Sequence, residues 1–349
     1  MPPPDPGGLR AAPDYTGRVP PGQPASRICF VTGVSGFLGA NLAPLLARRY
    51  RLRVLVRPGQ EVPALLGIDH ERIEGDLLTP GALRRGVEGA EAVVHLAALV
   101  SFRPEDRAAM IAINGSVPAA LAAMAREAGV RRLLHVSSVS TIGFSDEPRE
   151  LDETATYNFD PLRIGYCRSK KLGEDAVLAE CRKGLDAVVV NPTSMFGAGD
   201  RRKARGSLID SLLAGRVRWA PPGGIGVADV ARVAAGCVLA LERGRPGERY
   251  ILGGENLSAL DLMRRIARIA GTRAPLRTTP RSVILAAERI LRWKERAFGS
   301  RLPLTSEILR LSTRFLWYSS AKARRELGYE AGDVDGGIAA AVAWMKSRR

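Results

Sequence analysis

The sequence has few cysteines, and none of them is spaced as a metal ligand pair. The four cysteines of this 349-residue chain are Cys29, Cys167, Cys181 and Cys237, and no two of them form a CxxC motif. The three histidines do not cluster with them. The sequence therefore predicts neither a disulfide framework nor a metal site. This cysteine usage fits a reducing, cytoplasmic location.

Long apolar runs are also missing, although hydrophobic residues make up 46% of the chain. No run approaches the ~20 apolar residues that a membrane-spanning helix needs, so we predict no transmembrane span. Residues 1–26 are rich in Pro and Gly and contain no apolar segment of the kind found in signal peptides. We expect a disordered leader without an export signal.

A nucleic-acid-binding motif is absent as well, despite a formal net charge of +16. Short basic clusters occur at residues 201–205 and 289–296, but most of the charge is dispersed along the chain. We therefore predict no nucleic-acid partner and interpret the clusters as solvated basic surface. Such a surface would also suit phosphorylated ligands.

What the sequence does contain is a regular alternation of short β-branched segments and helix-like segments from Arg27 onward. The predicted strands are ICFVTGV, RLRVLVR, AEAVVHLAA, RRLLHVSSVS and LDAVVVNP. Alternation at this spacing predicts βαβ units, hence an α/β fold with a Rossmann-type, doubly wound parallel sheet. We assign residues 27–192 to this domain and expect residues 228–252 to return to it.

After Asn191 the pattern changes to helices with few strands. The predicted helices lie near residues 204–213, 228–242, 259–270 and 282–297. In open parallel sheets a ligand lies beyond the carboxyl ends of the strands, where a helical remainder would cover it. We therefore assign residues 193–227 and 253–349 to a smaller, mostly helical C-terminal substrate lobe.

The stretch TGVSGFLGANL, residues 32–42, lies between the first predicted strand and a predicted helix. Glycines in this context favour a dinucleotide site over a plain turn, because the amides and dipole of the helix N-terminus can hold a pyrophosphate. The residues of this turn that we predict to bind the cofactor are Thr32, Gly33, Ser35, Gly36, Phe37, Leu38 and Gly39.

Three further places are predicted to contact the cofactor. Arg57 follows the second strand, where NAD-binding proteins carry an acidic residue, and it can instead pair with the 2′-phosphate of NADP. An exposed surface arginine is the alternative. Asp76 and Leu77 lie where a carboxylate could accept the adenine amino group, although Asp76 could equally cap a helix. Ala97 and Ala98 are small enough to let a cofactor approach the backbone.

The segment YCRSK, residues 166–170, follows a serine-rich strand end. Residues four apart share one face of a helix, so Tyr166 and Lys170 can point into one cleft. A phenol with an ordinary pKa near ~10 is a poor acid at neutral pH, but an adjacent ammonium stabilises the phenolate. We choose Ser138 as the hydroxyl that holds a reacting oxygen. Ser137, Ser140 and Thr141 remain alternatives for that role.

These segments together resemble the extended short-chain dehydrogenase/reductase (NAD-dependent epimerase/dehydratase) family. TGVSGFLG, GDL, HLAA, VSSVSTIG, YCRSK and NPTSMFGAGD occur in the family's order, and the chain is similar to its dihydroflavonol 4-reductase-like and hopanoid-associated sugar epimerase branches. The resemblance implies catalysis by Ser138, Tyr166 and Lys170 and a place for Asn114 near the active site. It also implies a homodimer. The residues it places beside the nicotinamide are Pro192, Thr193 and Ser194.

We predict from this an NADP(H)-dependent oxidoreductase that acts on a carbonyl or alcohol of a lipidic, polycyclic or sugar-like small molecule, with NAD as the other cofactor. One alternative is a nucleotide-sugar epimerase or dehydratase with tightly bound NAD(P). NPTSMFG lacks the Arg-Pro and Val-Tyr-Gly elements common in such epimerases, which weighs against a UDP-sugar. A second alternative is a non-catalytic redox sensor that binds NADP. Separately, residues 282–298 could form a basic amphipathic helix that packs in the lobe or makes peripheral contact with a membrane.

Overall fold

The computed structural model describes residues 27–201, 207–299 and 304–348. The leader and most of the basic cluster at 201–205 lie outside these residues. The strands of the described part are β1 (Ile28–Thr32), β2 (Arg51–Val56), β3 (His70–Glu74), β4 (Ala92–His95), β5 (Arg132–Val136), β6 (Ala187–Pro192), β7 (Ser194–Phe196), β8 (Trp219–Ala220), β9 (Gly224–Asp229), β10 (Arg249–Leu252), β11 (Glu255–Ser258), β12 (Arg277–Thr278) and β13 (Phe315–Leu316).

The helices complete the description of the elements. They are α1 (Phe37–Ala47), α2 (Pro80–Val87), α3 (Arg107–Met110), α4 (Val117–Glu127), α5 (Gly165–Cys181), α6 (Leu208–Leu213), α7 (Val230–Arg243), α8 (Ala259–Ala270), α9 (Arg281–Phe298), α10 (Ser306–Leu311), α11 (Ala321–Leu327) and α12 (Val334–Lys346). A π-helical turn, Ile111–Ser116, joins α3 to α4.

Seven parallel strands form the central sheet, in the order β3-β2-β1-β4-β5-β6-β10. The doubly wound, Rossmann-type sheet expected from the sequence is thereby confirmed. The strand order reverses between β1 and β4, and in open α/β sheets a ligand binds at the carboxyl ends of the strands at such a reversal. β10 lies within residues 228–252, the segment that we expected from the sequence to belong to this domain.

Helices cover both faces of the sheet, so its strands are buried on both sides. On one face Leu42 of α1, Val233 of α7 and Leu327 of α11 pack in a single apolar cluster with the sheet. On the other face Leu83 of α2, Leu121 of α4 and Val177 of α5 do the same. The two layers fix the carboxyl edge of the sheet as a rigid platform for the site.

One helical stretch of the described residues, Pro104–Glu127, is long and apolar enough to cross a membrane by length and composition alone. Its inner face is part of the core, because Val117, Leu121, Ala122 and Ala125 belong to the cluster on the sheet. We therefore interpret this stretch as a core helix of the domain.

The C-terminal lobe contains more strands than the sequence analysis predicted. β9 pairs with β11, β13 and β7 in a second sheet, and β8 pairs with β12. α6, α8 and α12 contribute Leu212, Ile266 and Ile338 to a separate apolar cluster. These strands are two to six residues long, too short to give a clear alternating pattern in the sequence.

Candidate active site

The glycine turn after β1 is a tight, close-packed connection. Gly33 has φ +79°, a left-handed conformation that glycine tolerates best. A Cβ atom on Gly33 would lie 2.5 Å from the Ala97 nitrogen, and one on Gly39 would lie 2.3 Å from the Gly33 carbonyl oxygen. Both positions therefore require glycine, and the turn lies directly against the chain that follows β4.

The N-terminus of α1 has the features of a phosphate-binding helix end. The residue before the helix is Gly36, and among the described residues no side chain caps α1 and no acidic residue lies in its first turn. The free amides and the positive end of the helix dipole favour an anion at this end. The turn containing Gly33, Ser35, Phe37 and Leu38 therefore fits the pyrophosphate of a dinucleotide.

The residues predicted to reach the adenosine end lie at the same edge of the sheet. Arg57 directly follows β2, the neighbour of β1, and its side chain is exposed. Asp76 is exposed and accepts a hydrogen bond from the Leu78 amide at 2.8 Å. The residue before α2 is Thr79, so Asp76 closes a local turn rather than capping the helix. Leu77 packs against the apolar cluster on the sheet.

Asn114 fixes the segment that follows β4, where Ala97 and Ala98 lie. Its amide group donates to the Leu99 carbonyl oxygen at 2.8 Å, and its Oδ1 accepts from the Leu99 amide at 2.8 Å. The same Nδ2 lies 3.0 Å from Ser169 Oγ on α5. Asn114 is part of the π-helical turn, a feature that often marks functional sites. It thus ties the glycine-turn side of the cleft to the helix that carries Tyr166.

Tyr166 and Lys170 lie one turn apart near the start of α5. Lys170 is 2% exposed, and its Nζ donates to the Val136 carbonyl oxygen at 2.9 Å, at the end of β5. Burial lowers the pKa of Lys170 to about 8, and the nearby Glu174 carboxylate opposes that shift. The ammonium form therefore still predominates at neutral pH. Tyr166 is partly exposed, and its ring contacts the Phe102 ring at a centroid distance of 5.8 Å.

Ser138 begins the short 3₁₀ turn Val139–Thr141 that follows β5, and this turn packs against α5. The Ser138 side chain accepts a hydrogen bond from the Ser140 amide at 3.2 Å. The backbone carbonyl oxygen of Ser138 accepts hydrogen bonds from Thr141 Oγ1 at 2.8 Å and from Asn191 Nδ2 at 3.1 Å. Ser138, Tyr166 and Lys170 therefore lie on two packed elements at the carboxyl end of the sheet.

A buried carboxylate, Glu174, connects these two elements, and the sequence analysis did not identify it. Glu174 is 0% exposed. Its Oε2 lies 2.7 Å from both Thr141 Oγ1 and Asn191 Nδ2, and its Oε1 lies 3.2 Å from an Arg249 nitrogen. The i,i+4 spacing from Lys170 was the only signal of this role in the sequence. The network holds the Ser138 turn, β6 and β10 to α5.

Three buried hydroxyl groups at this edge make no hydrogen bond within the described part of the chain. They are Ser137 Oγ, Ser140 Oγ and Thr193 Oγ1. Thr193 lies between Pro192, the last residue of β6, and Ser194, the first residue of β7. Buried polar groups normally have partners, so these hydroxyls fit a polar cofactor or substrate at the strand ends.

The two histidines beneath the site are packed side chains rather than acid–base groups. The rings of His95 and His135 stack with a centroid distance of 5.5 Å, and Thr32 Oγ1 lies 2.7 Å from His95 Nδ1. Burial, reinforced by the Lys170 charge, lowers the pKa of His95 to about 3 and that of His135 well below its ordinary value. Both rings are therefore neutral at physiological pH.

Glu307 anchors the start of α5 from the lobe side and was also missed in the sequence. It is 1% exposed, accepts a hydrogen bond from the Gly165 amide at 3.1 Å and pairs with Arg107 at 2.6 Å. Burial raises the pKa of the Glu307 carboxyl, and the Arg107 guanidinium opposes this rise. The amide that precedes Tyr166 is therefore held by a residue of α10.

The sheet, the glycine turn and the free end of α1 define a dinucleotide-binding Rossmann protein. Comparison with known proteins gives the family. The model of the NAD dependent epimerase/dehydratase family matches residues 29–253. The chain belongs to this family and is an NAD(P)-dependent enzyme of the group that contains reductases, dehydrogenases and epimerases, which confirms the family predicted from the motifs.

Two curated relatives cover most of the chain. Sterol demethylase protein B of Methylococcus capsulatus is 33% identical over 91% of this chain and 98% of its own length. A Synechocystis protein with the provisional name dihydroflavonol 4-reductase is 31% identical over 91% and 94%. Among solved structures, that of gox2253 has a TM-score of 0.81 and 32% identity, and the match covers 92% of this chain and 98% of that one.

Proposed function

We propose that this protein is an NADPH-dependent reductase of a ketone or aldehyde on an apolar, polycyclic or lipidic small molecule. The observation that carries the proposal is that helix α5 is bonded to the end of β5 and to the Ser138 turn at the carboxyl edge of the sheet. Lys170 Nζ is bound to the end of β5 at 2.9 Å, and Glu174 on the same helix lies 2.7 Å from Thr141 of the Ser138 turn. This joining brings Tyr166, Lys170 and Ser138 to one edge.

The proposed roles follow from the chemistry of these side chains. The Tyr166 hydroxyl donates a proton to the substrate oxygen as negative charge develops on it. The Ser138 hydroxyl donates a hydrogen bond to the same oxygen. The buried Lys170 ammonium stabilises the phenolate that remains on Tyr166. The nicotinamide, when bound, supplies the reducing equivalent to the carbonyl carbon.

The surroundings of Tyr166 support an apolar substrate. Tyr166, Phe102, Leu311 and Leu316 pack around one apolar cluster, so a substrate that approaches the Tyr166 hydroxyl meets hydrocarbon and aromatic surface. A second, largely apolar cavity of ≈ 290 Å³ is lined in part by Phe37 and Ser194, both predicted to contact the cofactor, and lies against α12. The relatives' names, a sterol demethylase protein and a dihydroflavonol reductase, support the same substrate class.

Another cavity, larger than the one lined by Phe37 and Ser194, lies at a different place and does not carry the proposed function. Its volume is ≈ 430 Å³, and it lies along β10 and α11, where Lys322 Nζ bonds Glu248 at 2.6 Å and Arg325 pairs with Glu326 at 3.1 Å. These four charged groups pair within the lining, and the lining does not include Ser138, Tyr166 or Lys170.

Cofactor preference is tested by Arg57→Ala. We expect the unmutated protein to bind NADPH more tightly than NADH, because a charge-assisted contact to the 2′-phosphate contributes about 1.5–3 kcal/mol. That energy corresponds to roughly 10- to 100-fold in affinity. Arg57→Ala should remove the difference when the Kd of each cofactor is measured by fluorescence titration. Arg84→Ala, which removes an exposed arginine of the same domain, is the matched control, and equal NADPH and NADH affinities before mutation would refute the assignment.

Net reduction is tested with a panel of carbonyl compounds. We expect NADPH to be consumed in a one-to-one ratio with an apolar cyclic ketone or aldehyde, because Arg57 and the apolar cluster favour that pair. The absorbance of reduced nicotinamide measures the cofactor, and chromatography measures the alcohol. Conversion of a nucleotide sugar without net change in the cofactor would instead establish the epimerase or dehydratase alternative.

A further inference from the structure

Helix α9 exposes large apolar side chains of the kind that a surface helix usually buries. Val283, Ile290, Trp293 and Phe298 are 54%, 59%, 64% and 66% exposed, respectively. A surface helix normally turns such residues toward the core. The sequence analysis left open whether this helix packs in the lobe through its apolar face, and the structure shows that face turned outward.

The inner face of α9 carries two buried, bonded carboxylates beside the half-buried Ile284, Leu285 and Leu291. Glu288 and Glu295 are 4% and 9% exposed. Glu295 accepts hydrogen bonds from the amide and the hydroxyl of Ser306 on α10, at 2.8 and 2.5 Å. Glu288 pairs with Arg310 of α10. These contacts fix the rotation of α9, so the exposed apolar residues cannot turn inward without breaking the buried Glu288–Arg310 ion pair and the Glu295–Ser306 hydrogen bonds.

The outer face of α9 combines an apolar stripe with positive charge. The exposed apolar residues at three-, four- and seven-residue spacing are Val283, Ala286, Ala287, Ile290, Trp293 and Ala297. Lys294 lies within this stripe, and Arg289 and Arg296 lie along one edge of it. All three are exposed and form no salt bridge within the part of the chain that the structure describes. Both carboxylates of the helix face inward, so its outer surface bears only positive charge.

We propose that the outer face of α9 docks on the surface of an anionic lipid bilayer. An apolar stripe with Trp and Phe and a basic border is the pattern of a helix that lies in the membrane interface, and each basic residue adds attraction to anionic lipid. A second copy of the chain fits this face less well, because it would oppose the same uncompensated cations. α9 joins the bilayer to the site through α10, whose Glu307 holds the Gly165 amide.

The experiment is co-sedimentation of the full chain with vesicles. With equal parts phosphatidylcholine and phosphatidylglycerol we expect saturable binding that weakens as salt is raised, and with phosphatidylcholine alone we expect much weaker binding. The double variant Ile290→Glu/Trp293→Glu should lower the partition coefficient by about tenfold or more. The double variant Arg289→Gln/Lys294→Gln should lower it about fivefold for each charge removed.

The control is Leu66→Glu, which places one such charge at a leucine of the other domain that is 85% exposed. It should bind vesicles as the unmutated protein does. Unchanged vesicle binding by Ile290→Glu/Trp293→Glu would overturn the proposal. So would a dimer, measured by light scattering, that this variant dissociates while neither form binds vesicles. The measurement involves no turnover, so its outcome is independent of the reductase proposal.

Discussion

Replacing Tyr166 with phenylalanine should lower kcat/KM for carbonyl reduction by about 10²- to 10⁴-fold, the usual contribution of a positioned general acid. The ring contact with Phe102 survives this change because only the hydroxyl is removed. We therefore expect cofactor affinity and the thermal unfolding midpoint to stay close to those of the unmutated protein. Initial rates with a substrate found in the panel, together with a cofactor titration, measure the two effects separately.

The matched control for this variant is Tyr157→Phe. Tyr157 packs on the same aromatic cluster, and its hydroxyl is buried with no hydrogen-bond partner among the described residues. Removing that hydroxyl should leave the rate unchanged. If Tyr166→Phe kept activity within threefold of the unmutated protein, the acid–base role would be wrong. A full cofactor response without any turnover in either protein would then favour the redox-sensor alternative.

Replacing Glu174 with leucine should destabilise the protein by about 3–5 kcal/mol, the usual cost of removing one partner of a buried ion pair. The change leaves the Arg249 guanidinium, the Asn191 amide and the Thr141 hydroxyl without their common acceptor. Unfolding in guanidinium chloride, followed by circular dichroism, measures the loss. The Ser138 carbonyl oxygen is bonded to the same Thr141 and Asn191 groups. Loss of Glu174 should therefore shift Ser138 and lower kcat about tenfold.

Three further variants separate a lost charge from a lost position. Glu174→Gln keeps the shape and should cost less, about 1–3 kcal/mol, with a smaller loss of kcat. Glu174→Leu/Arg249→Met removes both charges and should recover part of the stability. Asp175→Leu, on the exposed side of the same helix, should change neither quantity much. Wild-type stability of Glu174→Leu would show that the network is dispensable, and an unchanged kcat would show that it does not position Ser138.

The glycines of the turn and the Tyr166–Lys170 pair, which the sequence singled out most clearly, share one property: each has a fixed spacing within a single element or turn. Gly33 and Gly39 are recognisable because both positions require glycine. A side chain at Gly33 would clash with Ala97, and one at Gly39 would clash with the Gly33 carbonyl oxygen. Tyr166 and Lys170 are recognisable because they lie one helical turn apart. Five strands of the central sheet, β1, β2, β4, β5 and β6, are largely buried and give the short apolar segments that predicted them.

The parts that the sequence did not reveal depend on contacts between distant segments. β3 is an edge strand with the sequence HERIE, of which only Ile73 is fully buried, so it lacks an apolar run. Glu174 gains its role from Asn191 and Arg249, which are 17 and 75 residues away. The outward apolar face of α9 likewise depends on Arg310 and Ser306, which bind its acidic side. No helical periodicity could show which side would face the protein.

α11 lies in the segment assigned to the C-terminal lobe from the sequence, but it packs against the central sheet, and this affects how the core is completed during synthesis. Ala323, Leu327 and Tyr329 lie in the same apolar cluster as Leu42 of α1, so residues near both ends of the described chain close one core. The ribosome must therefore synthesise the chain at least as far as Tyr329 before that core can close. Until then, the surface of the nascent nucleotide-binding domain that α11 covers stays exposed. Final assembly of the protein therefore depends on late, non-local contacts.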